Sequence, residues 1–297
     1  MIRGPLYGLA LVLLVAATAL ASWTINPRGP VARTEIYHGV FYTCETLPET
    51  DEMGGLMHVI EVDLTAPGVE LFVTPPDPQV VKNHAPWTYR LRYVWQTAYR
   101  ENLAAATNAT FFDCRISEPG RPRIYVPGDL ANTVQTIITD DRTIHASKDE
   151  RLLWFEEDLT PHLNTFDEID QDKTWGDVRF GIGSARLPIG FPLVRDGKPR
   201  YWPRGHGITD AVAPRTAIGI DTAGRRMWLI TIDRGIPNAL IQPLIDLGAT
   251  DAIILDGGKS STMVLGRDAG RVRPGTVTGG KRPVATVIGV RARPLDR

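Results

Sequence analysis

Apolar positions fall into short runs broken by proline, glycine and charged residues. Ile36–Tyr42, His58–Leu64 and Val69–Val73 read as strands, the second with apolar and polar residues in alternation. Thr65-Ala66-Pro67-Gly68 has turn composition, which predicts that the last two of these strands pair as a hairpin. Pro75-Pro76-Asp77-Pro78 stops the sheet, because proline supplies no ladder donor. Trp87, Leu91, Val94, Trp95 and Ala98 then recur at helical spacing, with Pro86 suited to a first turn, and predict a helix ending near Asn102. A buried run follows at Leu103–Ala106. The last third is the most regular. Thr216–Asp221 and Met227–Asp233 flank Ala223-Gly224 as a hairpin, and Ala239–Leu247 predicts a helix closed by Gly248, with Pro243 delaying or kinking it. Ala252–Leu255 predicts a buried strand ending in Asp256. After the loop Gly257–Ser261, strands resume at Thr262–Leu265 and Val284–Val290. Residues 140–204 are polar, acidic and without clear period, either an inserted subdomain or long loops around a site.

The N-terminus departs from this pattern. Arg3 precedes an uncharged apolar run, Leu6–Ala21, that ends in Ala19-Leu20-Ala21 before Ser22. Charged start, apolar middle and small-residue exit are the parts of a secretory signal peptide, and retention as an N-terminal anchor is the alternative. The run is shorter than the about 20 residues of a membrane span. Residues 22–34, with two prolines, read as a tether and 35–297 as one folded domain. Either reading places the body outside the cytoplasm: secreted, periplasmic or membrane-anchored, touching membrane only through an uncleaved N-terminal segment.

Composition narrows the function. With 33 Lys+Arg against 34 Asp+Glu the net charge is -1, so the basic field of a nucleic-acid binder is missing. At 43% hydrophobic the chain can bury a core without metals or disulfides to staple it. Cys44 and Cys114 are an even pair in a chain read as exported, hence a candidate disulfide, with two separate buried thiols as the alternative. The histidines are scattered, no CxxC occurs, and Glu156–Asp172 lacks the glycine and closing glutamate of an EF-hand. No metal site and no cofactor are predicted.

Four places offer chemistry. In Ile253-Ile254-Leu255-Asp256-Gly257-Gly258-Lys259-Ser260-Ser261-Thr262 a strand delivers a carboxylate, and two glycines let backbone approach a ligand. Exposed N–H groups and hydroxyls in such a turn can hold an anion. A P-loop would need glycine where Ile253 stands, and no G-x-S-x-G elbow is present. Pro214-Arg215-Thr216 could present a fixed guanidinium fork to a phosphate. Asn108 with Phe111-Phe112-Asp113 could supply an amide and an apolar or stacking wall, and Asp233-Arg234 ends a strand. Each has a plain structural alternative: a Gly-rich hairpin, a surface arginine, a core Phe pair, a strand-end ion pair.

Together and in this order, these pieces resemble the phosphodiester glycosidase domain family, typified by an enzyme that uncovers mannose 6-phosphate by removing N-acetylglucosamine. The matching stretches are Asn108–Phe112, Pro214–Ile220, Leu247–Ala249, Leu255–Gly258 with Ser260–Met263, and Arg282-Pro283-Val284-Ala285. Lys259 stands where the family often has a third glycine, and no glycine separates Asp233 from Arg234. The resemblance implies an α/β (α+β) fold, a mixed twisted sheet with flanking helices and a site at strand ends. It implies hydrolysis of a bond between a sugar anomeric carbon and phosphate, on an envelope or extracellular glycan or sugar-phosphate substrate. In that reading Asp256, Arg215 and Asn108 are catalytic. Gly257, Gly258, Ser260, Ser261, Thr262, Phe111, Thr216 and Asp233 contact substrate. A two-carboxylate O-glycosidase, with Asp233 or Asp113 joining Asp256, and a non-catalytic polysaccharide-binding protein are the alternatives.

Overall fold

The computed structural model describes residues 29–114, 125–139, 142–144, 150–165, 167–169, 178–184, 192–205, 207–270 and 272–296. The proposed signal segment and Asp170–Asp172 lie outside them. Four sheets form the described structure. The eight-stranded sheet runs β1 (Val31–Tyr37), β2 (Val40–Thr46), β3 (Met53–Asp63), β17 (Arg226–Gly235), β16 (Ala213–Asp221), β18 (Asp251–Ile254), β14 (Val194–Arg195), β15 (Lys198–Pro199). A second sheet runs β20 (Gly275–Thr278), β19 (Met263–Leu265), β6 (Ala105–Asn108), β21 (Val287–Arg291), β4 (Glu70–Val73). A third runs β10 (Arg142–Ile144), β9 (Ile137–Thr139), β13 (Phe180–Gly183), β11 (Arg151–Phe155), β12 (Pro161–Thr165). The smallest joins β5 (Tyr89–Arg90), β8 (Leu130–Thr133) and β7 (Phe112–Cys114). Helices are short: α1 (Pro78–Asn83), α2 (Val94–Arg100), α3 (Gly207–Asp210) and α4 (Ile241–Asp246). The expected mixture of sheet and flanking helices holds in coarse form: the fold is mostly β, its named strands pair antiparallel, and its helices are short.

The layers follow from alternation along the strands. In the large sheet Ile218, Ile220, Met227, Leu229, Ile253 and Leu255 face one core. Ala217, Trp228, Ile230, Ala252 and Ile254 face another, closed by Leu240, Ile241 and Leu244 of the α4 region. The second sheet divides the same way: Leu71, Ala105, Met263, Leu265, Ile288 and Val290 meet the large sheet. Phe72, Ala106, Val264 and Val287 turn to a separate core with Val94 and Ala98 of α2. Two sheets therefore pack face to face, with helices outside.

Several expectations give way. Val69–Val73 does not pair with His58–Leu64. Both edges of β3 are taken, by β2 and β17, so the turn at Gly68 (φ +87°) sends β4 to β21 in the other sheet. The Ile36–Tyr42 run is broken at Gly39 (φ +75°) into the hairpin β1–β2, and β1 begins within the segment read as a tether. The helix from Trp87 shrinks to Val94–Arg100, because Tyr89 and Arg90 pair with β8. Leu91, Val94 and Ala98 share one core, which produced the helical spacing without one helix. The unpatterned stretch 140–204 holds four strands of the third sheet and the β14–β15 hairpin. Cys44 and Cys114 are buried thiols, not a disulfide. Cys44 lies in the core between the two large sheets and Cys114 in the core beyond the second sheet, so a layer of strands separates them.

The hairpin β16–β17, the helix closed by Gly248 (φ +96°) and the strand delivering Asp256 stand as expected. Pro243 lies within α4, which starts late, after a 3-10 turn at Pro237–Leu240.

Candidate active site

Residues 255–262 carry the chain from β18 in the large sheet to β19 in the second, so this loop spans the seam between the layers. Its first half is pinned by Leu255 N donating to the Thr216 carbonyl and Asp256 N to the Ala109 carbonyl, both 2.9 Å. Asn108, fully buried at the end of β6, clamps both ends of the loop. Its Nδ2 donates to the Asp256 carbonyl (2.6 Å), and its Oδ1 accepts from Thr262 N (3.0 Å) and Thr216 Oγ1 (3.1 Å). A carboxamide suits the position because it donates and accepts at once. Thr216 Oγ1 also reaches Ser261 Oγ (3.0 Å), and Thr262 Oγ1 accepts from Gly280 N (2.9 Å). Thr216, Ser261 and Thr262 are therefore buried hydroxyls engaged with the protein itself.

Above this scaffold sits the Asp256 carboxyl, 7% exposed. Burial pushes it up to about 6, against the opposing pull of the Ser260 hydroxyl, Arg282, the Gly257 N–H and Arg215. Ser260 donates to the carboxyl and accepts from Arg282 Nη1 (3.2 Å), which links carboxylate, hydroxyl and guanidinium in one chain. The second guanidinium, Arg215, is 6% exposed and anchored to backbone: Nε to the Gly235 carbonyl (2.9 Å), Nη2 to the carbonyls of Ile208 (3.1 Å) and Ala211. Burial lowers its pKa and Asp256 opposes that shift. A register shift between Ala213 and Arg215 in β16, matched by one between Ile232 and Arg234 in β17, bends the ladder where Arg215 leaves it.

The rim is glycine. A Cβ on Gly257 would lie 3.2 Å from the Pro214 carbonyl oxygen and 3.4 Å from Arg215 Nη1, so glycine lets loop and guanidinium approach. Gly258 has φ +63° with nothing within 4 Å of a Cβ, and Lys259 is exposed beside it. The site thus opens at Gly257–Lys259. A separate cavity of about 830 Å³, lined by Arg33, Glu35, Arg267 and Asp268 among others, shares no residue with it.

Two other sequence-predicted residues have hydrogen-bond partners of their own. Asp233 lies at the bulge, its Oδ2 accepting from Leu56 N (3.1 Å) and its Oδ1 from Thr278 Oγ1 (2.9 Å). Phe111 is half-buried against the core below the large sheet, its N donating to Gln135 Oε1 (2.6 Å). Asp113 is exposed on β7. The charges acting most on Asp256 are arginines, not either of these carboxylates. Sequence reasoning quoted Arg282 within a family-matching stretch but gave it no role at the site, and that stretch was its signal. It passed over Tyr125, whose ring lies 3.5 Å from the Arg282 Cζ, and the buried Gln135. Among the described residues no cluster of three or more His, Cys, Asp or Glu could hold a metal, and no helix is long and apolar enough to cross a membrane.

Known proteins frame this geometry. No protein of curated function matches the chain in sequence. Among solved structures, the catalytic domain of zebrafish N-acetylglucosamine-1-phosphodiester alpha-N-acetylglucosaminidase, auto-inhibited by its pro-peptide, is 18% identical. Its TM-score is 0.56, and the match covers 89% of this chain and 86% of that one. A hypothetical protein from Synechocystis is 13% identical with a TM-score of 0.53, over 86% of this chain and 62% of its own. At those identities the two show a shared fold. The sequence model of the phosphodiester glycosidase family matches residues 101–291, from ahead of β6 to the end of β21 and so through the whole Asp256 loop. With most of its length so matched, the chain belongs to the phosphodiester glycosidase family.

Proposed function

We propose that the protein hydrolyses the bond between a sugar anomeric carbon and phosphate in a glycosyl phosphodiester, and that it acts outside the cytoplasm on envelope or extracellular glycans. The observation that carries this reading is one buried carboxyl, raised to about 6, on which two arginines act. A phosphate ester leaves as a weak base, so its departure needs positive charge and N–H donors more than a proton. Arg215 Nη1 and the N–H groups of Gly258 and Lys259 would supply these, since the Gly257 N–H is held by Asp256 and the Ser260 N–H by the Gly257 carbonyl. In this reading Asp256 takes a proton from water as the water oxygen bonds to the anomeric carbon and the carbon–oxygen bond to phosphate breaks. The products are the free sugar and a phosphate monoester. Asn108 contributes by holding Asp256 and Thr262 in register, since its oxygen and one N–H are engaged within the loop.

The apolar segment Leu6–Ala21 supports export. The test is release of sugar and phosphate ester from UDP-N-acetylglucosamine and a panel of sugar-1-phosphate diesters, with and without EDTA. Arg215→Ala and Asp256→Asn are run beside the wild type. Release lost in both variants while circular dichroism shows them folded supports the reading. Glycan binding without release from any diester would replace it with a binding protein of the same fold.

A further inference from the structure

Arginine carries five N–H donors, and the two arginines of the site commit them differently. Arg215 has its Nε and Nη2 on three backbone carbonyls, which fixes it and leaves Nη1 beside Gly257. Among the described residues Arg282 commits Nη1 alone, to Ser260 Oγ, and it is half-buried rather than buried. Its Nε is shielded from solvent and has no hydrogen-bond partner among the described residues. The guanidinium lies over aromatic surface, its Cζ 3.5 Å from the Tyr125 ring centroid and 5.5 Å from that of Phe112, and the two rings meet edge to face at 5.6 Å. On Asp256 the charge of Arg282 acts more strongly than that of Arg215.

We propose that Arg282, held against Tyr125, is the arginine that grips the anionic oxygens of the substrate, while Arg215, fixed on three backbone carbonyls, adds Nη1 alone. With its face over a ring and its Nε shielded, the guanidinium keeps its Nη1–Nη2 edge for a two-point grip on phosphate, and the ring holds its orientation. Its partner Ser260 then reports occupancy directly to Asp256, because one hydroxyl touches both. The ligand class is a phosphate mono- or diester oxyanion attached to a sugar. This rests on the sugar-phosphate reading above.

Two measurements separate the inference from that reading. The first is binding of inorganic phosphate by the exported body, by calorimetry, in wild type, Arg282→Ala, Arg282→Lys, Tyr125→Phe and Tyr125→Ala, with thermal midpoints for each. Arg282→Ala is expected to weaken binding by at least about tenfold, the worth of charge-assisted hydrogen bonds. Arg282→Lys recovers little, because an ammonium lacks the fork. Tyr125→Phe keeps the ring and binds as wild type does, and Tyr125→Ala weakens binding by about two- to fivefold. The second is diester hydrolysis by the same variants. Phosphate bound equally by wild type and a folded Arg282→Ala overturns the inference, as does a wild type that binds no phosphate. Phosphate binding that depends on Arg282 without hydrolysis of any diester keeps the anion site and discards the reaction. Hydrolysis that survives Arg282→Ala keeps the reaction and discards the role of Arg282.

Discussion

Replacing Asp256 by asparagine is expected to stabilise the protein above neutral pH while removing its activity. Asp256 is 7% exposed, and its carboxyl stands at about 6 against an ordinary 3.8. The folded state therefore holds this proton more tightly than the unfolded chain does. The sign follows: the contribution to stability is fully present below pH 4 and is lost as pH rises through 6. A rise of about 2 pK units corresponds to about 3 kcal/mol of ionised carboxylate held against its burial. Asparagine removes that charge and keeps one oxygen to accept from Ser260, but its amide N–H₂ faces arginine donors, which costs about 1 kcal/mol. The net gain at pH 8 is about 2 kcal/mol, or about 4–8 °C in Tm for a domain of this size. Urea or thermal unfolding of wild type and variant from pH 4 to pH 8 measures it. At pH 4, where the wild-type carboxyl is protonated, the variant should be less stable by up to about 1 kcal/mol, the amide cost alone, and the curves should cross and separate in its favour as pH rises. A wild type as stable as Asp256→Asn at pH 8, or a difference independent of pH, would refute the reasoning.

If Asp256 is the base, kcat/KM should fall below pH 6 along a single acid limb, and a pH–rate profile of the free enzyme shows whether it does. Gly257→Ala places a methyl 3.2 Å from the Pro214 oxygen and 3.4 Å from Arg215 Nη1, so diester hydrolysis should drop by about tenfold or more with Tm little changed. Asn108→Leu strips partners from Thr262 N, the Thr216 hydroxyl and the Asp256 carbonyl; denaturant unfolding should register a loss of about 2–4 kcal/mol. Protein denatured without reductant should take up two alkyl groups by mass, at Cys44 and Cys114, and uptake of none would restore the disulfide.

What could be read from the sequence was local. The β16–β17 hairpin needs only a two-strand pattern and a turn, and the strand into Asp256 is a continuous apolar run closed by Gly-Gly. Pairing between sheets was beyond that pattern. β3 and β4 are adjacent with a good turn between them, yet the partners of β3 arrive from residues 40–46 and 226–235, and occupied edges carry no local signature. The helix from Trp87 failed for a related reason: residues of β5, of the following loop and of α2 bury into one core, and burial on one side imitates helical periodicity. At the site, Asp256, Arg215 and Asn108 were legible because each sits at a strand end. Their division of labour was not. Nothing in the order of Asn108, Thr216, Ser261 and Thr262 says that they bond to one another across the seam. Arg282 joins them only because the β20–β21 connection returns beside Ser260.

The character of this site argues for the leaving group more than for the sugar. A two-carboxylate glycosidase places its acid and its base or nucleophile about 5–9.5 Å apart and raises one pKa with the help of the other. Here burial raises Asp256, and the charges around it are positive. Asp233 has both oxygens engaged, with Leu56 N and Thr278 Oγ1, and Asp113 stands exposed on β7. One carboxyl cannot supply a proton to a departing alkoxide and take one from water in the same displacement. A neutral aglycone, which needs the proton, is therefore poorly served. An aglycone that departs as a phosphate ester is already stable as an anion and meets two guanidinium groups as its charge develops. On the proposed reading, an arrangement that dispenses with a general acid would also favour a phosphate leaving group, and that preference would come from the electrostatics of the site.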